Sequence, residues 1–188
     1  DRPGGAPLSS SVAGTVPGVG TPMGFRLGRL DHVHLRVPDR IAAAKWYSTH
    51  LGFLAVEEYR FWADGIDGGP LQISADGGAT SLALFEASER QPIIPQHVAF
   101  SVDTPSFVAF ARSLPGELCG PDGSPLQPGD VRDFDLCWAF DIADPFGHLF
   151  ELNCYDYDAV KAELIDVDGT SPVRYWAAEM HRDFLDRA

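Results

Sequence analysis

Two segments of the chain are copies of one plan. Gln96-His97-Val98-Ala99-Phe100-Ser101-Val102-Asp103 parallels Asp31-His32-Val33-His34-Leu35-Arg36-Val37-Pro38, and a stretch with a helix signature follows each. The copies also close alike: Ser81-Leu82-Ala83-Leu84-Phe85-Glu86 and His148-Leu149-Phe150-Glu151 are apolar strands ending in Phe-Glu. Glu86 lies 54 positions after His32, and Glu151 lies 54 positions after His97. A duplicated unit of about 60 residues restricts the fold to one assembled from two equal supersecondary pieces.

Within the first copy, Asp31, Val33, Leu35 and Val37 alternate with His32, His34 and Arg36. That is the period of a strand with one apolar and one polar face. Two histidines on one strand face suit the wall of a polar cavity better than plain core. Asp39 is placed to cap a helix over Ile41–His50, with Ala42, Ala43, Trp46 and Tyr47 as its apolar stripe. Gly52 stands where a helix end takes a left-handed residue. A strand is expected over Phe53–Trp62, a turn-rich loop over 63–70, then short strands Leu71–Ser74 and Thr80–Glu86. In the second copy Thr104 caps a helix reaching Leu114, with Pro105 at its first position. Residues 116–135 form a long loop near one rim, and strands Leu136–Ile142 and His148–Cys154 flank the turn Asp144-Pro145-Phe146-Gly147. The predicted class is α+β: two tandem βαβββ units, 30–90 and 96–155, joined by a linker whose prolines block a continuing helix or central strand.

The flanks differ in character. Residues 1–29 are rich in Gly, Pro, Ser and Ala and lack the charged start and long apolar core of a secretory signal. They are expected to form a flexible or extended arm, with Met23 as a candidate natural start. Residues 156–188 are expected to be helical in two pieces, split by Asp168-Gly169-Thr170-Ser171-Pro172. Tyr175, Trp176, Met180, Phe184 and Leu185 give the last piece an apolar face for the domain or for a partner, so a homodimer is expected. With 27 Asp and Glu against 14 Lys and Arg, the chain has no basic stripe for nucleic acid or an anionic membrane surface. No apolar run reaches the roughly 18 residues of a membrane span. Cys119, Cys137 and Cys154 form no CxxC pair, which fits a reduced, cytoplasmic protein.

The run LDHVHLRV, the helix end YSTHLGF, the second His-bearing strand and DPFGHLFEL together resemble the vicinal-oxygen-chelate superfamily over residues 30–155. That superfamily includes glyoxalase I, bleomycin- and fosfomycin-resistance proteins and extradiol dioxygenases. The resemblance implies two βαβββ units curled into a cup around a divalent metal, with His32, His97 and Glu151 as ligands. Glu86, as the repeat partner of Glu151, stands where four-ligand members would place another. Two imidazoles and one carboxylate leave coordination positions free for water, substrate or O₂, the pattern of non-haem Fe(II) sites. Fe(II) is therefore the favoured metal, with Mn(II), Zn(II) or Ni(II) as alternatives.

His34 shares a face with His32 and is the candidate acid/base group, while His148 has the opposite parity to Glu151 and is expected to face away from the metal. Trp62, Phe134 and Trp138 are candidates to line an apolar pocket for an aromatic substrate. The resemblance implies a small substrate that chelates the metal through two oxygens. A ring-cleaving dioxygenase acting on an aromatic diol fits the His/His/Glu set. A glyoxalase-like lyase or isomerase and a non-catalytic antibiotic-sequestering protein are the alternatives. The chain departs from ring-cleaving enzymes at Asp141, where they usually carry a tyrosine ten residues before the glutamate ligand. It also lacks their further acid/base histidine ahead of the second ligand, a role left to His34. Against glyoxalase I, only Arg36, Arg60 and Arg132 are available for the carboxylates of glutathione. No loop for the monovalent cation of the resistance thiol transferases is recognisable.

Overall fold

The computed structural model describes residues 28–164 and the backbone of Val173–Arg174; residues 1–27 of the predicted arm and the second tail helix lie outside the described residues. Strand β1 (His32–Val37) carries the expected alternation, with Leu35 and Val37 fully buried and His34 exposed. The Asp39 carboxylate caps α1 (Arg40–Leu51) by accepting from the Ile41 and Ala42 N–H groups. Gly52 ends the helix at φ +73°, its N–H on the Tyr47 carbonyl. Ala43 and Tyr47 are the buried positions of the helix.

The strand expected over Phe53–Trp62 is confined to β2 (Leu54–Ala55). A 3₁₀ turn over Glu57–Tyr59 and the helix α2 (Arg60–Gly65) follow. Phe53, Val56, Tyr59 and Ala63 are the inward positions of this stretch. Their intervals of three and four are helical spacing, and Arg60 and Asp64 pair across one turn at 3.0 Å on the outside. β3 (Leu71–Ser74) and β4 (Ser81–Glu86) complete a sheet of order β1-β4-β3-β2, in which β1 and β4 run parallel.

The second unit repeats the plan with β5 (His97–Ser101), α3 (Thr104–Arg112), β6 (Arg132–Asp133), β7 (Trp138–Ala143) and β8 (Leu149–Cys154). Its sheet has the order β5-β8-β7-β6, and β9 (Val173–Arg174) joins β6 in parallel. Asp103, not Thr104, caps α3, its carboxylate accepting from the Ser106 N–H at 2.8 Å. A carboxylate opposite the helix's positive end is the better cap, so the helix begins at Thr104. β6 lies inside the segment expected to be loop. Asp135, at φ +67°, turns the chain between Phe134 and Cys137, which delays β7 to Trp138 rather than Leu136. The first tail helix, α4 (Tyr157–Leu164), buries Val160 and Leu164 and is tied to α3 by an Arg112–Glu163 ion pair of 2.8 Å.

Two apolar clusters form the core. One gathers Leu35, Val37, Tyr47, Leu82 and Leu84 around Phe150 from the second unit; the other gathers Phe107, Trp138, Phe140, Ile142 and Leu164. Polar bonds cross between the units as well. The buried Tyr47 hydroxyl donates to Asp144 at 2.5 Å, and burial plus that carboxylate push the phenol far above its ordinary ionisation range. His148, fully buried, accepts from the Gln96 N–H on Nδ1 and donates from Nε2 to the Arg36 carbonyl at 2.9 Å. It therefore ties the start of β5 to β1. Among the described residues, no helix is long and apolar enough to cross a membrane.

Candidate metal centre

Parallel pairing of β5 with β8 sets His97 beside Leu149 and Ala99 beside Glu151; antiparallel pairing of β8 with β7 sets Asp141 opposite Glu151. Phe140, Ile142 and Phe150 occupy the other face of this sheet and are buried. Strand alternation thus turns His97, Asp141 and Glu151 outward together. The His97 Nε2 lies 3.1 Å from an Asp141 oxygen and 3.9 Å from a Glu151 oxygen. The three side chains are 51%, 38% and 30% exposed, open enough for ion and substrate to reach them. Two ligands about 2.1 Å from one ion stand roughly 3.0 Å apart at a right angle and roughly 3.4 Å apart in a tetrahedron. The 3.1 Å separation falls in that range and the 3.9 Å separation is wider. Ligand atoms of all three residues lie within 4.8 Å of one another, so the group is a candidate for a divalent cation.

Sequence reasoning assigned Asp141 no function beyond the missing tyrosine. The signal was present in the DPFGH turn. The Asp144 N–H on the His148 carbonyl closes a hairpin about Phe146, and that register sets residue 141 across from residue 151.

The first sheet presents a second polar row. His32, His34 and Arg36 share a face with Ser81, Ala83 and Phe85 of β4. Asp31 lies 2.6 Å from the His32 Nδ1, which must carry the proton in order to donate to a carboxylate. The His32 Nε2 is then a lone pair, and it receives the N–H of His34 Nε2 at 2.9 Å. The two rings stack with centroids 4.9 Å apart. Desolvation of the His34 ring, reinforced by His32 and Arg36, holds its imidazole below the ordinary histidine range and so neutral. His32 is not part of the His97 cluster in this chain.

The two β1–β4-type pairings also identify the true repeat partner of Glu151. His32 pairs with Ser81 and His34 with Ala83, whereas His97 pairs with Leu149 and Ala99 with Glu151. Ala83 is therefore the counterpart of Glu151, and the equal His-to-Glu spacing conceals a three-residue shift in register. Glu86 pairs with Val37, so strand alternation sets it on the opposite face from the histidines, where it lies 3.8 Å from Arg40. A fully buried alanine occupies the position of a fourth ligand.

The aromatic candidates are dispersed. Trp138 is 1% exposed, on the core face of β7, and its indole N–H donates to the Tyr157 carbonyl. Trp62 lies on α2, stacked on Tyr59 at 4.8 Å, and Phe134 is half-buried in the turn before β7. Burial and Glu151 push the Cys137 thiol up, so it stays protonated on the margin of the site.

The family model for the Glyoxalase/Bleomycin resistance protein/Dioxygenase superfamily matches residues 29–152. The chain belongs to this superfamily. Among solved structures it is similar to Oxidase ChaP-H1, at 26% identity and a TM-score of 0.51, with 70% of this chain and 98% of that one covered. Oxidase ChaP-H2 is similar at 24% identity and a TM-score of 0.51, with 72% and 99% covered. TnmS3, an antibiotic binding protein from Streptomyces sp. CB03234, is similar at 21% identity and a TM-score of 0.46, with 70% and 99% covered. No curated protein matches the chain in sequence. Membership in the superfamily accounts for the duplicated βαβββ unit.

Proposed function

We propose that the chain is a metal-dependent enzyme of the ring-cleaving dioxygenase type, acting on a small aromatic diol through Fe(II). The observation that carries this reading is the convergence of His97, Asp141 and Glu151 on one sheet face. His32 is the second imidazole: Asp31 fixes the tautomer in which Nε2 keeps its lone pair, the usual arrangement of a carboxylate behind a histidine ligand, and metal binding would take the place of the contact from His34. Because His32 stands apart from the His97 cluster in this chain, a second copy supplies it. β1 and β5 are both edge strands of their sheets, with backbone groups available to a partner. With His32, His97 and Glu151 as the ligands and Asp141 within hydrogen-bond reach of His97, a bound Fe(II) would keep positions for two substrate oxygens and for O₂ and would supply Lewis acidity there. The protein's own part is to orient the diol and to move its proton. His34 is neutral beside His32 and is the group placed to accept a proton from a substrate hydroxyl.

Likeness to Oxidase ChaP-H1 supports oxidative chemistry over the lyase reading. Alanine at position 83 counts against a four-ligand isomerase site. The test is metal content by elemental analysis of untagged protein, comparing wild type with His97→Ala and Glu151→Ala. Near-stoichiometric iron that is lost in both variants, followed by O₂ uptake with a catechol panel, is the expected outcome. Zinc or nickel lost in the same way, with anaerobic turnover, would replace the dioxygenase with a lyase. No metal after anaerobic reconstitution would remove both and leave a sequestering protein.

A further inference from the structure

Arg36 shares a strand face with His32 and His34. Arg40, Arg60, Arg112 and Arg132 each stand within 4.0 Å of a carboxylate, but Arg36 forms no ion pair among the described residues. It is nevertheless held in place. Its guanidinium lies over the Phe85 ring at 5.4 Å, and one N–H donates to the Glu86 carbonyl at 3.3 Å. An arginine positioned by stacking keeps its remaining N–H groups preorganised for an incoming anion. The near side of the same ring is covered by His34, at a centroid distance of 4.8 Å. Phe85 is therefore flanked by the His34 imidazole and by the Arg36 guanidinium.

We infer that this face binds an aromatic substrate carrying an anionic group, a carboxylate held two or three bonds beyond the ring, with Arg36 as the anion anchor. The inference rests on the chelation reading for the position of the other end of the ligand. Arg36 lies four residues along β1 from His32, about 13 Å of strand. A diol ring chelated at His32 spans part of that distance, and a short side chain together with the reach of the arginine closes the rest. A neutral catechol would leave the guanidinium without a partner. Discrimination would therefore come from a charge-assisted, two-pronged contact of the kind arginine makes with carboxylates.

The test compares dihydrocaffeate with 4-ethylcatechol, which have the same ring and chain but differ in the carboxylate. Calorimetric affinities are measured anaerobically on the full chain, with Zn(II) and without metal. Wild type should bind the acid at least about tenfold tighter, as a charged bidentate contact gives. Arg36→Met, which keeps the apolar stem over Phe85, should bring the two affinities together. Arg36→Lys should restore part of the preference. Equal affinities in wild type, or a preference undiminished in Arg36→Met, would overturn the assignment. The chelation reading fails separately: both ligands would then bind equally well with and without metal and in His97→Ala, while the preference for the acid persists.

Discussion

The Asp31 carboxylate contacts the His32 Nδ1, and that contact sets which nitrogen of His32 keeps its lone pair. A neutral amide at this position weakens the hold on the ring and allows the other tautomer, in which Nε2 carries the proton. Asp31→Asn should therefore lower metal affinity by about 10- to 100-fold, the usual cost of losing a carboxylate behind a histidine ligand. The apo protein should melt unchanged, because Asp31 is exposed. Chelator competition reads the affinity, and Glu86→Ala is the control that should leave it unaltered, since that carboxylate lies on the other face. Wild-type affinity in Asp31→Asn would remove His32 from the coordination shell. At this scale the sequence was informative about types and poor about faces. The histidine rows followed from simple alternation. The assignment of Glu86 rested on counting positions, which cannot register a shift between strands joined by loops of unequal length.

The elements held closest to expectation where a local signal terminates them. α1 begins at an aspartate cap and ends at a glycine with positive φ, both evident in the sequence. Asp39→Ala should cost about 1 kcal/mol in urea denaturation, since two N–H groups lose their acceptor. Gly52→Ala should cost about 1 kcal/mol for a different reason: a Cβ there meets nothing within 4 Å, so the penalty is conformational alone. A stabilised Gly52→Ala would show that the left-handed end is not kept in solution. Expectation failed where two periods fit one segment. The residues after Gly52 are apolar and aromatic enough for a strand, but the inward positions run at helical spacing through Ala63. Packing against β3 decides between the two, and no local residue announces it. β6 was missed because two residues of ladder inside a Gly/Pro-rich loop carry no periodicity at all.

At the scale of the whole molecule, the separation of His32 from the His97 cluster determines how the proposed site can be assembled. Phe150 packs with the first unit's core and Tyr47 donates to Asp144, so within one chain the units meet through their apolar faces and the turn between β7 and β8. Under the proposed chelation, the polar faces that carry His32 and His97 would each hold part of the coordination set. If a two-fold dimer joins one copy's His32 to the other's His97 and Glu151, variants defective on opposite halves can rescue each other. His32→Ala and Glu151→Ala should each fail to retain metal as homodimers. Equal amounts unfolded and refolded together should pair at random, leaving half the dimers mixed. Each mixed dimer contains one intact site and one doubly broken site, so about a quarter of the wild-type metal content should return. A site formed within single chains gives no recovery, because every chain in the mixture then lacks one ligand. Recovery near a quarter would establish the shared site even before a substrate is found, and none would confine His32 to the Asp31–His34 row of its own sheet.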